Sequence, residues 1–437
     1  MSTDRMSRVK RFAALGLAAS AALAVTIGTA AAEPSPVDET IGSLPAAPAL
    51  PGNEFYLPPA QLPDGEPGDV IRARTVPVPT FPNMSVTQVM YLSTNQAGEL
   101  VPVTGALMRP ILSPRAAGRG ESAPLVALTP GTRGQGDQCA PSKFLDPTTA
   151  DPRQPEYQAV NYQDYMSRGI SVFVTDYLGG GTPLRQEYLV GRSEGQNGLD
   201  GARAALRLVG DDDLDENSPI GLDGYSQGGQ AGAWAAQIQP DYAPELDLKG
   251  VYVDAPPHDM IGTLDHFNGN PTAGAGIALA LVSGVSTAYP ELDFEQYLNE
   301  FGEGVYDRLY ASCVLEELGT FGTITLGDVS DPDISTMTDF RNRLGESLLG
   351  TSAPAVPAYI SNGGADTVVP PADPRNLYAD WCQFDGVDVT FSQIPGLEHL
   401  TNRPVASIDG IQWLSEKLAG APAEPGCRER TSAGVIG

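Results

Sequence analysis

Short apolar runs alternate with stretches of helical periodicity over most of the chain. Near its start, β-branched or alternating segments at 70–75, 86–93 and 101–108 are joined by turn-rich loops, which predicts antiparallel strands at one edge of a sheet. Further on, apolar strands and amphipathic helices follow one another, an order typical of a mostly parallel α/β sheet. The predicted strands are 125–128, 171–174, 220–224, 249–253, 358–361 and 387–391, and the predicted helices are 157–167, 198–209, 229–238 and 405–418.

One block interrupts this alternation, at about 256–350. Residues 273–285 are nearly all small and apolar, and apolar residues then recur at helical spacing from Phe294 to Leu309. The pattern predicts a helical insertion that caps the sheet.

The first 32 residues do not belong to the predicted fold. Basic residues precede an apolar run at 12–27, and small residues end at Ala32, which is the pattern of a secretory signal peptide. A membrane anchor is disfavoured because the run is short for a spanning helix. We therefore predict a secreted protein that is cleaved near Ala32, with a Pro/Gly-rich arm at 33–69 and one catalytic domain at 70–437.

The charge balance limits the partners. The chain has 26 basic and 54 acidic residues and a formal net charge of −28, whereas nucleic-acid binding requires clustered cations. The same charge repels anionic membranes. We predict no nucleic-acid partner and no stable membrane span. The charge balance still permits apolar contact with lipid interfaces.

Export permits two disulfides among the four cysteines, Cys139, Cys313, Cys382 and Cys427, with three possible pairings. No two cysteines have the short spacing of a zinc site. The glycine-rich loop at 129–136 lacks the Gly-Lys-Ser/Thr end of a phosphate-binding loop. No metal or cofactor is predicted.

The motif G-x-S-x-G occurs twice, around Ser193 and around Ser226. In hydrolases this motif places the serine on a sharp turn between a strand and a helix. Ser226 directly follows the predicted strand 220–224 and precedes a run of small residues that suits a closely packed helix. Ser193 has no strand directly before it and is interpreted as a loop or helix-capping residue, so Ser226 is the predicted nucleophile.

A serine hydroxyl needs a general base, and in this kind of fold the acid and then the histidine follow the serine along the chain. His399 stands between the last predicted strand and the last helix, whereas His258 and His266 lie at the entry to the insertion. Asp366 follows the strand 358–361 in a tight turn and is the predicted acid. Asp388 and Asp254 are its competitors.

An oxyanion needs two backbone N–H donors, one from the residue after the nucleophile and one from a loop after an earlier strand. The first is predicted to be Gln227. Thr132, in the glycine-rich loop after the strand 125–128, is predicted to be the second, with Arg133 as the alternative.

Six short segments occur at 139–142, 224–226, 242–246, 264–269, 366–370 and 398–401. Together and in this order they resemble the secretory lipase family typified by Candida antarctica lipase A. The resemblance runs from about Val70 to the C-terminus. It implies an α/β-hydrolase fold, an acyl-binding tunnel through the cap, and a Ser-Asp-His triad whose pattern falls on Ser226, Asp366 and His399. It also implies the disulfides Cys139–Cys313 and Cys382–Cys427.

The predicted function is hydrolysis of fatty-acyl esters such as triacylglycerols through an acyl-enzyme, with an ester or lipid as substrate and no cofactor. Three alternatives remain at this point. A serine peptidase or an acyltransferase with an alcohol acceptor would use the same triad, and a non-catalytic secreted binding protein would keep only the fold.

Overall fold

The computed structural model describes residues 53–78, 83–111, 122–150, 156–208, 213–270, 274–321 and 324–431. The predicted signal peptide and the first part of the arm lie outside the described residues. The described part of the arm begins with a 3-10 helix at Asn53–Tyr56. Tyr56 is buried, and its hydroxyl lies 2.9 Å from Oγ of Ser142, so this part of the arm is attached to the domain.

In the described residues ten strands form one mixed sheet of order β1-β2-β3-β5-β4-β6-β7-β8-β9-β10. The pairs β1–β2, β2–β3 and β3–β5 are antiparallel, and every pair from β5–β4 to β9–β10 is parallel. This confirms the predicted mostly parallel sheet with an antiparallel edge. The strands are β1 Val70–Val76, β2 Met84–Thr94, β3 Leu100–Pro110, β4 Leu125–Thr129, β5 Ser171–Leu178, β6 Ile220–Tyr225, β7 Leu248–Asp254, β8 Ala358–Gly363, β9 Asp388–Ile394 and β10 Gly426–Thr431.

Helices cover both faces of the sheet because its strands carry apolar side chains on both sides. In β7, Val251 and Val253 belong to one buried cluster and Tyr252 to the other, as the two-residue period of a strand requires. The helices are α1 Pro141–Phe144, α2 Ala159–Ser167, α3 Gly191–Leu206, α4 Gln227–Tyr242, α5 Met260–Phe267, α6 Gly274–Ala288, α7 Glu300–Tyr310, α8 Val314–Thr320, α9 Leu326–Val329, α10 Thr338–Gly345, α11 Ala372–Trp381 and α12 His399–Leu418. Helices α3 and α4 pack on the face of the sheet that carries Val251 and Val253. Helices α2 and α12 pack on the opposite face, which carries Tyr252.

Helices α5 to α10 lie between β7 and β8, and we call residues 255–357 the insertion. The insertion has its own apolar cluster, which includes Leu281, Leu309 and Phe340 and also takes in Tyr188 from the loop after β5. The helical spacing seen from Phe294 to Leu309 does not form one helix. Asn299 interrupts it, because its side-chain oxygen accepts a hydrogen bond from the backbone N–H of Gly302 and caps α7.

The parallel strands bring several loops to one edge of the sheet. Thr129 at the end of β4 pairs with Gly224 in β6, and Tyr225 pairs with Asp254 at the end of β7. Asp254 in turn pairs with Ser361 in β8. The segments that follow these strands carry the predicted site residues and therefore meet at the carboxyl edge, where ligands bind in sheets of this type.

Candidate active site

Ser226 lies on the turn between β6, which ends at Tyr225, and α4, which begins at Gln227. Its φ of 58° and ψ of −120° are unusual for a residue with a side chain, and such conformations persist only where the surroundings impose them. A Cβ on Gly224 would overlap the carbonyl oxygen of Gly228, and a Cβ on Gly228 would overlap the backbone at the end of β4. The two glycines of the motif therefore permit the close packing that exposes Ser226.

The structure brings Ser226, His399 and Asp366 into one hydrogen-bonded chain. Nε2 of His399 lies 2.9 Å from Oγ of Ser226, and Nδ1 lies 2.7 Å from Oδ2 of Asp366. Oδ1 of Asp366 accepts hydrogen bonds of 2.9 Å from the backbone N–H groups of Val368 and Val369. The carboxylate is thus fixed on both of its oxygens, and a proton on Nδ1 leaves Nε2 free to accept the serine proton.

The other two histidines have structural contacts away from Ser226. Nε2 of His258 lies 2.8 Å from the carboxylate of Asp380 on α11. Nε2 of His266 lies 2.9 Å from the carbonyl oxygen of Thr367. His266 thereby joins α5 of the insertion to the turn that carries Asp366.

The motif around Ser193 has a different physical basis. Ser193 lies inside the first turn of α3, rather than in a loop or at the helix cap, and it is fully buried. A Cβ on Gly191 would overlap the indole of Trp234, and a Cβ on Gly195 would lie 2.9 Å from the backbone nitrogen of Ala235. The glycines of this motif allow α3 and α4 to pack closely.

Buried groups hold His399 in place. The ring of Tyr225 stacks on the imidazole with centroids 4.9 Å apart, and its hydroxyl donates a hydrogen bond of 3.0 Å to the carbonyl oxygen of His399. One turn further along α12, Nη2 of Arg403 lies 2.9 and 3.0 Å from the two carboxylate oxygens of Asp223 on β6. Tyr165 also donates to Asp223. The ion pair therefore ties the start of α12 to the strand that leads to Ser226.

Asp254 and Asp388, the alternatives to Asp366 as the acid, contact other groups. Oδ1 of Asp254 accepts hydrogen bonds from the hydroxyl of Ser361 and from the side-chain amide of Asn402, at 2.8 and 2.7 Å. Burial raises the pKa of Asp254 to about 6. Asp388, at the start of β9, pairs with Arg428.

Gln227 and Thr132, the two predicted oxyanion donors, line the same cavity as Ser226. The carbonyl oxygen of Thr132 accepts a hydrogen bond from the hydroxyl of Tyr157, at 3.0 Å. The carbonyl oxygen of Arg133 accepts from the backbone N–H of Val314, and the Arg133 guanidinium lies over the Tyr157 ring. The loop is thus held at Thr132 itself and at the residue that follows it.

Glu194 is a buried carboxyl group beside Gln227, one of the two predicted oxyanion donors. Its Oε1 accepts hydrogen bonds from the side-chain amide of Gln227, at 2.6 Å, and from the backbone N–H of Leu189, at 2.9 Å. Burial raises its pKa to about 8, and the nearby charge of Glu187 acts in the same direction, while the two hydrogen bonds oppose them. Glu194 is therefore largely protonated at neutral pH.

This raised pKa predicts a loss of stability with rising pH. Glu194 binds its proton more tightly in the folded state, so its contribution is complete below about pH 4.5 and is lost as the pH rises through about 8, at up to about 1.4 kcal/mol per pH unit. We expect Glu194→Gln, which has no proton to lose, to reduce the fall in melting temperature across this range. Thermal unfolding followed by circular dichroism at several pH values measures the effect.

Burial also raises the pKa of Glu317 to about 8, and this residue is unchanged in Glu194→Gln. Part of the pH dependence of stability should therefore remain in that variant. Glu216→Gln, a change at an exposed loop residue, is the control and should match the wild type at every pH. Equal pH slopes for Glu194→Gln and the wild type would contradict the prediction.

A cavity of about 430 Å³ lies above Ser226 and His399. Insertion residues and the turn after Asp366 supply part of its apolar wall, through Phe267, Ile277, Leu318, Val368 and Val369. The arrangement places Ser226 and His399, the predicted nucleophile and base, at the polar end of an apolar space, and small-molecule sites commonly combine a few polar groups with an apolar lining in this way.

The structure contains the disulfides Cys139–Cys313 and Cys382–Cys427, the pairing that the family resemblance implies. The first joins the loop after β4 to the start of α8 in the insertion. Gly134 forms a β-bridge with Cys313 at the same place. The second disulfide joins the end of α11 to β10.

Among the described residues, no three His, Cys, Asp or Glu side chains are placed to hold a metal ion. In the same part of the chain, no helix is long and apolar enough to cross a membrane.

Comparison with known proteins finds several lipases. A probable inactive lipase of Mycobacterium tuberculosis is 29% identical over 398 residues, which cover 86% of this chain and 84% of that protein. A secreted triacylglycerol lipase of Malassezia globosa is 26% identical over 394 residues and covers 86% of this chain and 82% of its own. The crystal structure of Candida antarctica lipase A in its closed state matches with a TM-score of 0.75 at 23% identity, over 87% of this chain and 89% of that one.

The structural match confirms the predicted α/β-hydrolase fold. The family model for secretory lipases matches residues 154–426, which is more than half of the chain. The chain therefore belongs to the secretory lipase family.

Proposed function

We propose that this protein is a secreted serine hydrolase that cleaves fatty-acyl esters such as triacylglycerols. Membership of the secretory lipase family supports a carboxylic ester hydrolase. The observation that carries the finer proposal is the chain of hydrogen bonds from Ser226 through His399 to Asp366, at the base of an apolar cavity. Two disulfides and the family favour an extracellular location, to which the segment 1–32 would direct the chain as a signal peptide.

In the proposed first step, Oγ of Ser226 attacks the ester carbonyl carbon while Nε2 of His399 takes the hydroxyl proton. Asp366 accepts a hydrogen bond from Nδ1–H and stabilises the imidazolium that forms. The tetrahedral intermediate collapses, and His399 returns the proton to the oxygen of the leaving alcohol. Ser226 then carries the acyl group as an ester.

The backbone N–H groups of Gln227 and Thr132 are proposed to stabilise the negative charge that develops on the carbonyl oxygen, by donating hydrogen bonds to it. Donors fixed before the reaction stabilise such charge at little reorganisation cost. Glu194 supports this arrangement by holding the Gln227 side chain at the start of α4. In the second half of the reaction, water attacks the acyl carbon while His399 takes one of its protons. The bond to Oγ of Ser226 then breaks, and His399 returns the proton to Oγ, so that the carboxylic acid leaves and the free serine is restored.

The insertion is proposed to act as a cap that binds the acyl chain. The apolar wall supplied by Phe267, Ile277 and Leu318 suits an aliphatic chain, because it offers dispersion contacts and excludes water. The proposed catalytic domain comprises residues 70–437 and includes this cap.

A series of p-nitrophenyl esters from acetate to palmitate tests the proposed substrate class. We expect measurable turnover with initial rates that rise toward longer acyl chains, since longer chains bury more apolar surface in the cavity. An optimum at acetate would instead indicate a carboxylesterase of short-chain substrates. Hydrolysis of p-nitroanilides at comparable rates would favour a peptidase, and ester products formed with added alcohol would favour an acyltransferase.

The name of the Mycobacterium tuberculosis relative gives one specific reason to consider a protein without catalysis. A serine-directed fluorophosphonate probe separates the two cases independently of the natural substrate. Covalent labelling of Ser226, located by peptide mass spectrometry, is expected for the enzyme. A folded protein that neither labels nor turns over any ester would be a secreted binding protein.

A further inference from the structure

Asn161 is a buried polar residue in the wall of the active-site cavity. It lies on α2, only 4% of the residue is exposed, and it lines the cavity that contains Ser226 and His399. Its backbone N–H donates to the carbonyl oxygen of Gln158, whereas its side-chain amide has no hydrogen-bond partner among the residues that the structure describes. An amide can donate two hydrogen bonds and accept two, so a buried amide without a partner requires an explanation.

The packing of α2 places Asn161 on the same side of the cavity as the start of α12. Helix α2 packs against α12, which begins at His399. One turn after Asn161, the hydroxyl of Tyr165 donates a hydrogen bond of 2.9 Å to Asp223, and Asp223 also binds Arg403 on α12. Residues four apart lie on one face of a helix, so Asn161 and Tyr165 both face this part of the molecule.

The proposed reaction determines which part of the substrate lies on this side. His399 returns its proton to the oxygen of the leaving alcohol, so the alcohol must lie beside the start of α12. The acyl chain is proposed to lie against the insertion, where Phe267, Ile277 and Leu318 form an apolar wall. The wall formed by α2 and α12 is therefore available to the alcohol part of the ester.

The groups on this wall favour an alcohol part that is neutral and can form hydrogen bonds. Arg133 lines the cavity, but its guanidinium group pairs with Glu156. Arg403 also lines it and pairs with Asp223. The amide of Asn161 can both donate and accept, and a hydroxyl group does the same. A bound hydroxyl group would pair with the buried amide, whereas an alkyl group would leave it unpaired at a cost.

From these observations we propose that Asn161 makes the enzyme selective for esters whose alcohol part carries a free hydroxyl group close to the ester oxygen. Partial glycerides and other polyol esters belong to this class, and esters of simple alkyl alcohols do not. The inference rests on the proposed function, because it concerns the leaving group of that reaction.

Hydrogen bonds at both ends of α2 hold the Asn161 amide in position. The side-chain oxygen of Gln158, at the N-cap of α2, accepts from the backbone N–H of Gly131 at 3.0 Å and from the guanidinium group of Arg133 at 2.9 Å. The hydroxyl of Tyr165 anchors the next turn to β6. Because the helix is fixed in this way, binding a substrate hydroxyl group costs little further ordering.

Two esters of hexanoic acid test this proposal, the monoester of ethylene glycol and the propyl ester. They differ only where the hydroxyl group of the first replaces the terminal methyl group of the second. Titration of the released acid gives kcat and KM for each. We expect Asn161→Leu to lower the ratio of kcat/KM for the glycol ester to kcat/KM for the propyl ester by about tenfold. The change should come mainly from KM of the glycol ester, since its hydroxyl group is not at the reacting centre.

Asn376→Leu is the matched control and should keep the wild-type ratio. Asn376 is exposed on α11 and lies outside the cavity lining. The ratio for each variant cancels any change that affects both esters alike. Circular dichroism checks that each variant is folded, and Asn161→Ala replaces Asn161→Leu if the leucine side chain does not fit.

The proposal and the function on which it rests can fail separately. A ratio for the Asn161 variant within about twofold of the wild-type ratio would overturn the proposal. An equal loss of kcat/KM with both esters would do so too, and would give Asn161 a structural role. In both cases turnover by the wild type would leave the proposed hydrolase function in place. A wild-type protein that hydrolyses neither ester would instead overturn that function, and this inference with it.

Discussion

Replacing Ser226 by alanine is expected to lower kcat for p-nitrophenyl ester hydrolysis by about 10⁴-fold or more. The hydroxyl oxygen is the atom that the proposed mechanism joins to the acyl carbon, and no other group in the site can take its place. His399 and the backbone donors would remain, so a small residual rate from substrate binding and charge stabilisation is expected. Initial rates with enough protein to detect slow turnover measure the effect.

Ser193→Ala is the matched control because Ser193 occupies the other G-x-S-x-G motif. Ser193 is fully buried in α3, and His258, His266 and His399 contact other groups. We expect Ser193→Ala to retain the wild-type rate and fluorophosphonate labelling, and Ser226→Ala to lose both. Loss of activity in Ser193→Ala with the fold intact, or substantial turnover by Ser226→Ala, would reject the assignment.

The two motifs illustrate what local sequence can and cannot predict. Both have glycines two residues before and after the serine, but only Ser226 also follows a strand directly and precedes a helix. That context could be predicted because strands and helices leave periodic patterns in the sequence. The role of Gly191 against the Trp234 indole could not be predicted, since it depends on how α3 and α4 pack in space.

The contacts that support the site were also beyond sequence analysis. Asp223 and Arg403 are 180 residues apart and form a buried ion pair, whereas charged residues of either type are mostly exposed. Glu194 lies in the motif that was set aside, and only its burial beside Gln227 reveals its function in the structure. Distant polar pairs of this kind leave no periodic signal.

The sequence analysis predicted the start of the last helix wrongly and did not predict the last strand. Helix α12 was predicted from its helical pattern to span 405–418, which starts directly after Pro404, and proline in a helix interior removes a backbone donor. The structure begins the helix at His399, where Glu398 and Thr401 form a reciprocal capping box. Strand β10 was missed because its residues, such as Glu429 and Arg430, are polar and exposed. Its pairing with β9 is accompanied by a disulfide from α11.

Asp366→Asn tests the third member of the proposed triad, and we expect kcat to fall by about 10³- to 10⁴-fold while KM changes little. The reason lies in the contacts of the carboxylate. Oδ1 of Asp366 accepts hydrogen bonds from the N–H groups of Val368 and Val369, so an asparagine must place its oxygen there to keep them. Its NH₂ group then faces Nδ1 of His399.

An NH₂ group in that position can only donate, so it forces Nδ1 to be the acceptor and moves the imidazole proton to Nε2. The nitrogen beside Ser226 then can no longer take the hydroxyl proton, although every heavy atom stays in place. Asp388→Asn is the control, since Asp388 pairs with Arg428 away from the site and should leave kcat unchanged. A rate for Asp366→Asn within about tenfold of the wild type, with the fold intact, would mean that Asp366 does not set the tautomer of His399.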